Sequence, residues 1–194
     1  ENGKRRLSLA DLRTMADLAR SERLIGAEEE NIIINATKLR TMRVAQVMVP
    51  RHRIVLFDAR QSNIKNFAIA ASSLHTRYPV TKDGSVEGIA GYVNFKEIVA
   101  MMPSRREAQI EPFIRPLSRI PAETSLNNAL RALLSRRQHV ALVEDHERVV
   151  VGLVTLEDLL EEIVGDLTDE FDWMPDEILQ VADRRWKIGG GAKL

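Results

Sequence analysis

Cysteine is absent from the 194 residues, which excludes disulfides and thiolate metal sites but fits either a reducing or an oxidising compartment. Long hydrophobic runs are also missing. The longest strongly apolar stretches, such as 149–154, fall far short of the ~20 residues a bilayer-spanning helix needs, and no signal-type segment opens the chain. Neither charge sign is in excess: 28 Lys+Arg stand against 28 Asp+Glu, a formal net charge of zero. That removes the electrostatic footprint of a dedicated nucleic-acid binder, so no nucleic-acid partner is expected. There is no P-loop, dinucleotide fingerprint or nucleophile elbow, and His52, His75, His139 and His146 lack metal-ligand spacing. No catalytic constellation supports an enzyme.

What is present is enough to build a core: 44% of the residues are hydrophobic and 29% charged, as expected for one compact domain or two small ones. The main organising fact is an internal repeat. A segment from about 44 to 102 resembles one from about 110 to 165, each opening with an apolar stretch holding one proline: Val47-Met48-Val49-Pro50, then Phe113-Ile114-Arg115-Pro116. Ile64, Phe67, Ala68, Ala71 and Leu74 lie at helical spacing, as do Leu126, Ala129, Leu130, Leu133 and Leu134. Thr124 or Ser125 is the expected cap of the second of these helices. Two strands follow in each copy, 78–81 and 86–93 matched by 140–143 and 149–154, with turns at Asp83-Gly84 and Asp145-His146. A second helix closes each copy, with Ile98, Val99 and Met102 apolar in one and Leu156, Leu159, Leu160 and Ile163 in the other. The expected class is α+β. Each unit reads strand, helix, strand, strand, helix, and is too small to bury both sheet faces alone, so the two must pack together.

The flanks differ. From Ser8 to Arg40 two helices are predicted, broken near Gly26; Ser8 with Asp11 makes a capping signature, and Leu9, Leu12, Ala16 and Ala19 form one stripe. From Glu157 to Asp183 acidic residues run with no Lys or Arg until Arg184, a solvated, partner-facing surface or, less simply, a collector of a hard cation such as Mg²⁺. The chain begins at Glu1 and stops just after Gly189-Gly190-Gly191, so it is expected to be a piece of something longer.

The sharpest motif is Gly152-Leu153-Val154-Thr155-Leu156-Glu157-Asp158, a buried strand running straight into a helix. Thr155 as N-cap with Asp158 at the third helical position is a capping box, a purely structural role. The same geometry presents free N–H groups and a positive dipole end that attract phosphate. A Thr hydroxyl can donate to phosphate, whereas an ionised Asp only accepts and suits ribose hydroxyls. Both readings stand on the sequence.

The tandem arrangement and this Gly-x-x-Thr-x-x-Asp string resemble a paired cystathionine-β-synthase (CBS) module. More narrowly, three strings resemble the cytosolic part of the CorC/HlyC and CNNM group of magnesium-transport proteins: Val47-Met48-Val49-Pro50-Arg51, Arg77-Tyr78-Pro79-Val80, and the run from Val154 through Gly165 to Asp172. The resemblance implies two β-α-β-β-α repeats packed with pseudo-two-fold symmetry. It divides the chain into a helical linker after a membrane domain (1–43), repeat 1 (44–105), repeat 2 (106–167), and an acidic connector with the start of an accessory domain (168–194).

It further implies a regulatory site for an adenine nucleotide, ATP or AMP, with Mg²⁺ as a candidate companion, in the cytoplasmic portion of a magnesium or cobalt transport protein. The cleft would join Thr155, Glu157 and Asp158 to the His75-Thr76-Arg77-Tyr78-Pro79 segment, with Arg77 on phosphate, Tyr78, Pro79, Leu153 and Met48 lining a slot for the base, and Val49 near the base or sugar. Ordinary core and turn packing is the alternative for Tyr78 and Pro79. Homodimerisation through the repeats is implied too, and a purely structural dimerisation module is the alternative. The matching string of the first repeat, Gly91-Tyr92-Val93-Asn94-Phe95-Lys96-Glu97, has Asn for the hydroxyl residue and Glu for the Asp. One working site is therefore expected, with its counterpart degraded.

Overall fold

The computed structural model describes residues 8–101, 110–165, 178–182 and 185–188. Two helices come first, α1 (Leu9–Ser21) and α2 (Ala27–Lys38). Ser8 caps α1 in a reciprocal box with Asp11, and Gly26 stands at the N-cap of α2. Arg20 clamps the pair by a 2.7 Å ion pair to Glu30, whose carboxyl is held below its usual range by that guanidinium.

The first repeat contains β1 (Val49–Pro50), β2 (Phe57–Asp58), α3 (Asn63–Ser73), β3 (Arg77–Thr81), β4 (Ile89–Asn94) and α4 (Phe95–Met101). The second contains β5 (Ser118–Pro121), α5 (Leu126–Arg136), β6 (Val140–Glu144), β7 (Val150–Thr155) and α6 (Leu156–Val164). A separate hairpin joins β8 (Ile178–Ala182) and β9 (Arg185–Ile188). In each repeat a short strand pairs parallel with the strand after the helix, which pairs antiparallel with the next. The two antiparallel ladders even share an irregularity at the same place, Val80/Thr81 and Val143/Glu144. The predicted β-α-β-β-α units are therefore present. Met102 and the acidic residues from Asp166 to Glu177 lie outside the described residues.

The apolar stretches that open the repeats do not stay in their own sheets. Val49 and Pro50 of β1 pair antiparallel with Leu153 and Gly152 of β7, while Arg115 bridges Tyr92 of β4 through N–H···O bonds of 2.9 and 2.8 Å. Each repeat's opening segment thus crosses to the other's sheet. The strands that precede α3 and α5 within their own sheets are instead Phe57–Asp58 and Ser118–Pro121.

Three apolar clusters follow from this exchange. Phe57, Tyr78, Val80, Val93 and Ile98 form the core of repeat 1, with Phe57 and Tyr78 stacked at 4.2 Å. Leu126, Leu133, Val143, Val154 and Leu159 form that of repeat 2, joined by Leu39 and Val44 from the N-terminal segment. Between the sheets, Ile89 and Tyr92 meet Val140, Leu142, Val150 and Leu153, so the unit that buries both sheet faces is the pair.

Two helix faces differ from the periodicity. On α3, Ile64 and Leu74 are exposed, as are Ala68 and Ala71, while Asn66 is fully buried. The cause is a polar contact: Asn66 Oδ1 accepts from the Asp58 N–H and its Nδ2 donates to the Asp58 carbonyl, both at 3.1 Å, which turns the polar residue inward. On α1, Ala16 is buried but Leu9 and Leu12 are exposed.

Candidate functional site

A cleft of about 410 Å³ opens between the repeats. Repeat 1 supplies His75, Thr76, Arg77 and Pro79, from the end of α3 into β3, together with Arg53, Ile54 and Val55. From repeat 2 come His139 and Val140 at the start of β6, Leu153 of β7, and Thr155, Glu157 and Asp158 where β7 becomes α6. Val49 joins the two sides, because β1 lies on β7 with Val49 opposite Leu153.

The junction at Thr155 has the geometry of both sequence readings. Thr155 has extended backbone (φ −106°, ψ 162°) and caps α6: Asp158 N–H donates to Thr155 Oγ1 at 3.1 Å, and Thr155 N–H donates to Asp158 Oδ2 at 2.8 Å. The box leaves the Thr155 hydroxyl hydrogen able to donate, and Asp158 Oδ1 makes no hydrogen bond among the described residues. A donor for an anion and an acceptor for hydroxyls therefore stand side by side at the positive end of a helix.

Val49, Ile54, Val55, Pro79 and Leu153 make the apolar wall, suited to a flat, weakly polar group. Cations face it: Arg53, which has no ion-pair or hydrogen-bond partner among the described residues, and Arg77, whose Nη1 lies 3.4 Å from Glu157 Oε1. His139 Nδ1 lies 3.6 Å from the same carboxylate oxygen. Among the described residues no group of three or more His, Cys, Asp or Glu could hold a metal ion.

The structure brings together Val49, His75, Arg77, Pro79, Leu153, Thr155, Glu157 and Asp158, and corrects two expected lining residues. Tyr78 is fully buried in the core of repeat 1, pointing away from the cleft. The alternation of strand β3 puts neighbouring side chains on opposite faces. Its hydroxyl accepts from His75 N–H at 2.8 Å and pairs with Ser73 Oγ at 3.0 Å, so it fixes the turn that carries His75. Met48 packs on the core of repeat 2, against the Gly152 backbone.

Thr76 belongs to the expected cleft segment, and His139 and Val140 are the counterparts by symmetry of Thr76 and Arg77. The carbonyls of Thr76 and His139 play the same part, each accepting from the first N–H of the repeat's last helix, Phe95 and Leu156. A cleft on the pseudo-axis is lined by both. Arg53 had no such signal, since it sits in a turn, Arg51–Arg53, that repeat 2 lacks.

At the pseudo-symmetric position the chemistry is different. Glu97, the counterpart of Asp158, forms a 2.7 Å ion pair with Arg115, which occupies the place of Val49. Asn94 Oδ1 accepts from Lys96 N–H at 3.0 Å. Among the described residues no hydrogen bond links Asn94 and Glu97 as Thr155 and Asp158 are linked, and the Glu97 carboxylate is engaged by Arg115.

Residues 110–165 match the CBS domain family. The chain is 34% identical over 150 residues to the magnesium and cobalt efflux protein CorC of Pasteurella multocida, covering 77% of this chain and 50% of that protein. It spans about half the length of the curated relatives it matches. The solved CBS domain of the bacterial CNNM/CorC family Mg²⁺ transporter superposes with a TM-score of 0.74 at 26% identity, covering 84% of this chain and 100% of that one. A structure of such a domain in complex with ATP gives a TM-score of 0.66 at 28% identity, covering 71% and 97%.

Proposed function

Since the chain is a tandem CBS module of the CorC-like family, we propose that it binds an adenine nucleotide between its repeats and regulates an ion-transporting membrane domain. The observation that carries this reading is the Thr155 and Asp158 capping box opening onto the cleft opposite Arg77. The Thr155 hydroxyl and the N-terminal amides of α6 take the phosphate, Asp158 Oδ1 takes the ribose hydroxyls, and the base lies on the wall of Val49, Ile54, Val55, Pro79 and Leu153. The ATP complex of a similar domain supports the ligand class. Mg²⁺ would enter as a companion of the phosphates rather than as a resident ion.

The module does no chemistry of its own in this reading. It belongs to the cytoplasmic portion of a longer protein for magnesium or cobalt transport, with residues 1–43 as the linker from the membrane domain. Regulation requires that the nucleotide prefer one arrangement of the repeats over another. Calorimetric titration with ATP, ADP and AMP tests the site. Asp158→Ala is expected to weaken binding at least tenfold, and also to lower stability by about 1 kcal/mol through the lost cap. Equal affinity in a folded Asp158→Ala variant would refute the assignment.

A second reading, dimerisation through the repeats, draws on an apolar groove between α3 and α4. Leu74 is 84% exposed there, beside Phe67, Ala71 and Val99. It is compatible with nucleotide binding. Sedimentation on dilution separates it: a dimer that persists without nucleotide, in a protein that no nucleotide protects against heat, would favour a structural role alone.

A further inference from the structure

Arg77 has a carboxylate partner within the chain. Its Nη1 lies 3.4 Å from Glu157 Oε1, an ion pair that crosses the cleft from repeat 1 to repeat 2, and His139 Nδ1 lies 3.6 Å from the same oxygen. The other carboxylate of the cleft is tied back, since Asp158 Oδ2 accepts the Thr155 N–H. Glu157 is also the second residue of α6, where the helix dipole favours a negative charge and a phosphate would be drawn for the same reason. Its side chain is 60% exposed, free to swing out. At the corresponding place in repeat 1 stands Lys96, so this arrangement belongs to one cleft alone.

We infer that Glu157 is a specificity-determining residue rather than a ligand contact: an internal anion that competes with the ligand's phosphates for Arg77 and for the start of α6. The inference rests on the nucleotide reading above. A ligand must exchange one anionic partner of Arg77 for another, so its net gain depends on how much more negative it is than a single carboxylate. Adenosine gains nothing from the exchange, a monophosphate gains little, and a triphosphate gains most. Glu157 thereby sets a threshold of ligand charge, and Arg77 is where that threshold is read.

The test is Glu157→Gln, which keeps shape and removes charge at an exposed position. Binding of adenosine, AMP and ATP is measured by calorimetry in Mg²⁺-free buffer, so that no cation links carboxylate to phosphate. Exposed ion pairs contribute about 0.2–1 kcal/mol, so ATP is expected to bind the variant roughly 1.4- to 5-fold tighter. AMP should gain less than ATP, and adenosine should bind the two proteins alike. In an Arg77→Met background the gain from Glu157→Gln should fall by more than half.

Weaker ATP binding by Glu157→Gln would make Glu157 a ligand contact and overturn the inference, as would an equal change for all three ligands. An undiminished gain in the Arg77→Met background would leave only general repulsion and would overturn it too. These failures differ from failure of the nucleotide reading itself, in which the parent protein binds none of the three.

Discussion

At the scale of the residue, some charges in this molecule are held by short local bonds. Asp58 is the clearest case: Arg60 donates to it through Nη2 at 2.7 Å and Nε at 3.0 Å, and the Arg60 N–H adds a bond at 2.9 Å. These bonds, the guanidinium first, pull its carboxyl down to about 2. A carboxyl lowered on folding stabilises the native state fully above its unfolded value of ~3.9. That contribution is lost as pH falls through the folded value of about 2. Melting temperatures between pH 5 and 2 should therefore fall less steeply for Asp58→Asn than for the parent, from a lower starting point. Parallel slopes would mean that Asp58 is not lowered. Tyr78 gives the opposite lesson, since its string suggested a ligand contact but its hydroxyl is bound to the His75 backbone.

At the scale of the element, the crossing of the opening segments depends on two glycines. A Cβ on Gly152 would stand 2.7 Å from the Val49 carbonyl oxygen, and one on Gly91 would run into the Arg115 carbonyl oxygen. Backbone cannot yield as a flexible side chain can, so Gly91→Ala is expected to cost about 1–3 kcal/mol, a typical overpacking penalty. Urea unfolding measures it; an unchanged midpoint would show that Arg115 moves freely.

Much of this level was legible beforehand. The paired strands β3, β4, β6 and β7, the turn at Asp83-Gly84 and the caps at Ser8 and Thr155 follow from local chemistry. The crossing was not, because Val47 to Pro50 reads as an apolar strand whichever sheet receives it, and pairing partners about a hundred residues apart leave no local mark. The inward face of α3 escaped for a related reason. Asn66 is polar in every scale, and only the Asp58 backbone beside it makes burial favourable. Within the cleft, Thr155, Asp158 and Arg77 carried a motif, whereas Arg53 and Val55 are placed by a turn found in only one repeat.

At the scale of the whole molecule, the cleft is a joint property of both repeats, so a ligand in it must stabilise both. Nucleotide at a hundred times its dissociation constant should raise stability by about 2.7 kcal/mol. Because Ile89, Tyr92, Val140 and Leu153 share one cluster, differential calorimetry should show a single transition that moves as a unit. A profile that splits, with only one part displaced by ATP, would show that the repeats melt independently. No helix among the described residues is long and apolar enough to cross a membrane. Leu39 and Val44 enter the core of repeat 2, and Asn127 N–H donates to the Leu39 carbonyl at 3.0 Å, so the segment after α2 is tied to repeat 2.

The crossed segments also bear on how the chain is made. Val49 and Pro50 have their ladder partners at Leu153 and Gly152, and Arg51 donates to the carbonyl of Val150, 99 positions along. During synthesis β1 must therefore wait, unpaired, while about a hundred further residues emerge, several seconds at ~5–20 residues per second. Contacts this distant in sequence slow folding. Until β7 has emerged, the strand that opens the first repeat has no ladder partner to dock on.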